Sequence, residues 1–123
     1  MRAIPIVVLL SVAVGLGLLL GFQYLKRERS KPVVIGMHFL FGAASLEILA
    51  MLLRGAPDGT TVVPGSLGKL AAGLVALALF SGVRAPMIGR HSRGTMNVAL
   101  GVHASVAAVG FVLILVWVGR GLG

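Results

Sequence analysis

The sequence predicts an all-α fold: an integral membrane four-helix bundle, made of two repeated helical hairpins with both termini outside. Three observations carry that expectation. Of 123 residues, 58% are hydrophobic and only 11% charged, and the mean hydropathy is +1.05. A soluble domain is roughly 45–50% apolar and about 25% charged, so such a chain could not hide its apolar surface in water. Four apolar stretches are each long enough for a bilayer, which needs roughly 17–25 residues per helix. The charges gather between these stretches rather than within them. The length suits a single four-helix domain over residues 1–123 and leaves no room for a second.

The first span is expected at about Ile4–Leu25. Met1-Arg2 followed by an apolar run resembles the opening of a signal peptide. The run is longer than an h-region of about 7–15 residues, no A-x-A-like site follows it, and the heavier positive charge comes after it, so it reads as a retained span. The second span, about Val33–Leu53, is opened by Ser30, Lys31 and Pro32, a capping side chain followed by a first-turn proline. Gly55-Ala56-Pro57-Asp58-Gly59 forms a turn cluster behind it. The third span, about Leu67–Val83, is the shortest, preceded by Pro64-Gly65-Ser66 and followed by Pro86. The fourth runs about Met96–Val118, with Thr95 as its N-cap.

The links set the direction. Helices one and two are joined through Lys26, Arg27, Arg29 and Lys31 against a lone Glu28, and helices three and four through Arg84, Arg90, His91 and Arg93. The middle link holds only Arg54 and Asp58 before Lys69. Short basic links lie on the cytoplasmic side, which puts the chain in a cell inner membrane as a multi-pass protein. The net charge of +8 is therefore a topology signal that also attracts anionic head groups; no basic stripe suggests nucleic acid. With no cysteine, disulfides, iron–sulfur clusters, thiolate haem ligation and covalent haem attachment through C-x-x-C-H are excluded.

Helices one–two and three–four read as two copies of one hairpin, in the same orientation. Laying His38 on His103 aligns small residues at matching offsets, and both copies end in Arg-Gly, Arg54-Gly55 and Arg120-Gly121, with the basic link a few residues longer in the second copy. Chance matches among Ala, Gly, Val and Leu are frequent, so the aligned histidines carry the repeat. His38 lies six residues past Pro32 and His103 eight past Thr95, about 9 and 12 Å along their helices. The two come level within a turn, in the cytoplasmic half.

An ionisable side chain in a span is a functional candidate by default. Gly42 follows His38, and Ala107 follows His103, one turn later on the same face. Two level imidazoles backed by small residues are candidate metal ligands, His38 and His103, with Gly42 and Ala107 lining the cofactor. A zinc site wants three or four ligands, and Glu47 lies about half a turn round the helix from His38. Two neutral imidazoles alone suit the axial positions of haem iron better. Gly36, Ala43, Ala44, Gly101, Ala104, Ala108 and Gly110, together with Gly42 and Ala107, are small enough to admit a macrocycle. Against this stands plain packing: small residues line helix interfaces in membranes, and histidine can hydrogen-bond across them.

On His38, His103 and the four-span architecture, the chain resembles the small bacterial four-helix membrane b-type cytochromes of the cytochrome b561-like kind. The resemblance implies one haem b between helices two and four, with His38 and His103 as axial iron ligands. It implies electron transfer within a larger redox complex, quinone as a small-molecule partner, other membrane subunits, and no catalytic site of the chain's own. The better-known members carry two histidine pairs; this chain has one, so a second haem would come from a partner. Alternatives are a haem-free packing subunit and a pigment-binding subunit, since one histidine can ligate a chlorophyll-type magnesium.

Glu47 is the only acidic residue in a span and is expected to pair with Lys69 or Arg54; the alternative is a proton or quinone head-group contact. Trp117 and Tyr24 read as interface anchors. Gly15, Gly17 and Gly21 read as a packing face toward another subunit, His91 as solvated, and Phe39, Phe41, Met37, Met51, Met87 and Met96 as packing residues.

Overall fold

The structure is a computed structural model that describes residues 3–54 and 66–121. It is all-helical: α1 (Ile4–Leu25), α2 (Pro32–Arg54), α3 (Ser66–Ile88) and α4 (Arg93–Gly119). All four helices are long and apolar enough to cross a membrane. At 22 residues α1 is about 33 Å long, against a hydrocarbon core of about 30 Å. The turn cluster at 55–59 and the Pro64-Gly65 pair lie outside the described residues.

The helices form a ring. α1 packs on α2, α2 on α3, α3 on α4 and α4 on α1, while the diagonal pairs α1/α3 and α2/α4 stay apart at the backbone. The closest seam is α3–α4, then α1–α2. The core cluster of Ile6, Leu10, Leu49, Ala71, Val75, Ile114 and Trp117 sits toward the end of the bundle away from the basic links. Toward those links the buried set thins to Ala13, Ala78 and Ala85. Much of the outer surface is apolar, with Leu18, Phe80 and Val98 each more than two-thirds exposed.

Two element ends differ from the sequence reading. α3 continues through Pro86 to Ile88. The apolar pattern breaks at Arg84, but Arg84 is exposed and Ala85 behind it is buried. Pro86 forfeits only its own bond to the Gly82 carbonyl, and the Gly89 N–H closes the turn on the Ala85 carbonyl at 2.9 Å. As a result the second basic link is the shorter one, not the longer. The N-cap of α4 is Ser92 rather than Thr95: its hydroxyl accepts from the Thr95 N–H at 3.0 Å. α2 begins at Pro32, and the Lys31 carbonyl takes the N–H groups of Val34 and Ile35 at 3.0 and 3.2 Å.

Two side chains also sit elsewhere than expected. Trp117 is fully buried instead of anchoring an interface. Its indole lies on Gly68, where a Cβ would stand 2.7 Å from the ring, so a missing side chain on α3 makes the room. Glu47 and Lys69 are both exposed, and Glu47 makes no ion pair with Lys69 or Arg54 among the described residues. Both ends of that expected pair point off the bundle surface.

Candidate functional site

The two intramembrane-type histidines meet. His38 on α2 and His103 on α4 approach across the diagonal with ring centres 6.0 Å apart and ring planes at 87°. The backbones of α2 and α4 do not touch, so the imidazoles bridge a gap that no other element fills.

Each ring is anchored by its own hairpin. His38 Nδ1 lies 2.7 Å from the Ala13 carbonyl oxygen of α1, and His103 Nδ1 lies 2.8 Å from that of Ala78 of α3. A carbonyl only accepts, so in both rings Nδ1 carries the proton and donates. In the neutral ring that leaves Nε2 its lone pair, and among the described residues Nε2 has no hydrogen-bond partner in either ring. This is the arrangement in which a ligating histidine is held, one nitrogen tied back and the other open.

The approach depends on glycine one turn beyond each acceptor. A Cβ at Gly17 would stand 2.9 Å from the His38 Cε1, and one at Gly82 would stand 2.8 Å from that of His103. Both seats therefore read Ala-x-x-x-Gly: Ala13 to Gly17 on α1, and Ala78 to Gly82 on α3. A single shift of 65 positions takes 13 to 78, 17 to 82 and 38 to 103, so the duplication extends to the hydrogen-bond geometry. The second seat adds one contact, the Ser81 hydroxyl 3.4 Å from His103 Nδ1, where the first copy has Leu16.

The structure brings His38 and His103 together and places Gly42 and Ala107 one turn beyond them, both half-buried and related by the same shift. A Cβ at Gly42 would meet open space. The other small residues divide. Gly36, Gly101, Ala104 and Ala108 are exposed, and Gly110 is buried against Leu74 and Val75 of α3 rather than beside the histidines. Gly17 makes room for its own hairpin's histidine; Gly15 and Gly21 face open space. Phe39 is exposed and Phe41 half-buried, while His91 is exposed in the α3–α4 link.

Sequence reasoning missed Ala13, Ala78 and Gly82, and gave Gly17 another role. The signal was available: an ungapped 65-residue overlay aligns Ala-x-x-x-Gly with Ala-x-x-x-Gly. At the basic end, α1 and α4 are tied by the Tyr24 hydroxyl donating to Asn97 Oδ1 at 2.8 Å, with the Arg93 guanidinium 5.1 Å from the Tyr24 ring centre. Tyr24 is thus a helix-to-helix fastener. Among the described residues no three of His, Cys, Asp and Glu gather as a metal-holding group, so the pair stands as two donors alone. No protein family profile, no curated protein and no solved structure matches this chain.

Proposed function

We propose that this chain is an inner-membrane electron-transfer protein, or a subunit of a redox complex, that holds one haem b between α2 and α4 with His38 and His103 as axial ligands. The observation that supports it most is the pair of imidazoles brought together from the two hairpins, each tied back through Nδ1 to a carbonyl of its own hairpin. The two ring centres lie 6.0 Å apart with their planes at 87°, which brings both imidazoles to one place between α2 and α4. The donor set fits iron with two axial histidines better than a four-coordinate ion.

Haem bound here would supply a one-electron couple. The chain's own residues do the rest. The Ala13 and Ala78 carbonyls fix tautomer and ring orientation. Gly17 and Gly82 set how far each ring reaches, and the apolar helices keep bulk water from the pair. Quinone or a partner subunit would deliver and remove the electron, since the chain shows no catalytic constellation.

The test is a reduced-minus-oxidised spectrum of the purified chain. Wild type is expected to show a b-type signal with one haem per chain, and His38→Ala and His103→Ala are each expected to lose at least nine-tenths of it. Full haem content in both variants sinks the reading. A second reading has one observation in its favour: each imidazole already makes a helix-to-helix hydrogen bond, as polar glue does in membrane bundles. A haem-free packing subunit predicts a featureless wild-type spectrum after expression with excess haem.

The same proposal places both basic links in the cytoplasm and both termini outside. The chain has no cysteine, so single Glu28→Cys and His91→Cys variants can report it. Both are expected to label with an impermeant maleimide only in inverted vesicles; labelling in intact spheroplasts reverses the topology.

A further inference from the structure

The second hairpin has a groove that the duplication does not require. It measures about 750 Å³ and opens along α3 and α4 at the end nearest their basic link. Leu77, Phe80, Arg84 and Ile88 of α3 and Val98 and Val102 of α4 line it, and all six are exposed. The first hairpin serves as an internal control. The 65-residue shift puts Gly15 where the groove has Phe80 and Leu19 where it has Arg84, so the helical hairpin folds without either.

Arg84 is the informative member. A guanidinium within a span is costly unless it finds a counter-charge or reaches the head-group layer. Arg84 is one turn from the end of α3, close enough to reach that layer along its own stem. It has no carboxylate partner among the described residues, and its end of the bundle holds Lys26, Arg27, Arg29, Lys31, Arg90 and Arg93 against a single acidic residue, Glu28 in the α1–α2 link. An apolar trough with one unpaired guanidinium at its mouth matches an amphiphile that has an anionic head.

We propose that this groove is a binding site for one anionic glycerophospholipid. Its phosphate sits on Arg84 and one acyl chain lies along Leu77, Phe80, Val98 and Val102. Basic pockets between membrane helices on the cytoplasmic side recognise such head groups. The site needs bilayer insertion but not haem, so its failure leaves the histidine reading untouched.

The test is native mass spectrometry of the detergent-purified full chain titrated with phosphatidylglycerol or phosphatidylcholine. Wild type is expected to favour phosphatidylglycerol about fivefold, the factor one basic residue contributes near an anionic surface. Arg84→Gln is expected to erase that preference. Arg90→Gln, at the same end but off the groove, is expected to keep it. Val98→Trp, which fills the trough, is expected to lose the bound lipid while eluting as wild type. Equal losses in Arg84→Gln and Arg90→Gln would mean diffuse attraction and overturn the site. So would full phosphatidylglycerol binding by Val98→Trp, or a co-purifying isoprenoid quinone that Val98→Trp displaces.

Discussion

The hairpins α1–α2 and α3–α4 share a plan and differ in tightness. Every buried residue of the first, Ala3, Ile6, Leu10, Ala13, Ser45 and Leu49, maps by the 65-residue shift onto a buried residue of the second: Gly68, Ala71, Val75, Ala78, Gly110 and Ile114. At four of these six positions the second copy is smaller. Smaller contact residues let helix backbones approach, and α3 and α4 are the closer pair. Where the approach opens space at the far end, Trp117 fills it against Gly68; the matching residue in the first hairpin is the half-buried Leu52. Hydropathy fixes that the helices of both hairpins are long and apolar enough to cross a membrane. Side-chain volume at the seam fixes how firmly each closes.

Removing the filler should break the comparison most. Trp117→Ala is expected to cost about 3–5 kcal/mol, the range for emptying a buried aromatic site, and Leu52→Ala distinctly less. Reversible unfolding in mixed micelles measures both, and equal losses would show that Trp117 closes the second hairpin no more firmly than Leu52 closes the first.

Filling the glycine seats sharpens the comparison from the other side. Gly17→Leu and Gly82→Leu drive side chains into the imidazoles, at an expected cost of about 1–3 kcal/mol each for overpacking. On the proposed haem reading, the matching seats mean that both should lower haem content alike; a large loss in one and none in the other would end the symmetric-site account.

The smallest effect lies in the links. Arg27 holds a left-handed backbone, φ 59°, where the Glu28 N–H reaches back to the Gln23 carbonyl at 2.9 Å. The α3–α4 link has no such residue among those described. Arg27→Gly is expected to stabilise the first hairpin by about 1 kcal/mol, since L-residues in that conformation cost roughly that much. A thermal shift assay in detergent reads the change, and a fall in melting temperature would contradict it.

The limits of sequence reading follow the same physics. The bounds of α1 were legible because a proline near its start and a run of charges at its end bracket an unbroken apolar stretch. The end of α3 was not, because Arg84 looks like a boundary and is instead an exposed residue of a continuing helix. The level histidines were legible from their place in the repeat. Their acceptors were not, because Ala13 and Ala78 contribute only backbone oxygens, which no residue type announces.

Composition and the spacing of apolar runs by themselves determined four membrane-length helices, two like hairpins and two histidines at one level. Those features are local, set by transfer of side chains from water and by the pitch of the helix. Tertiary structure alone decided that Nδ1 of each histidine turns to its own hairpin, that Trp117 is inside and that Glu47 is outside. In a helix apolar nearly all round, hydropathy does not say which face turns inward. That choice falls to volume matching and to the few polar atoms that must find partners, and both exist only once the helices have met.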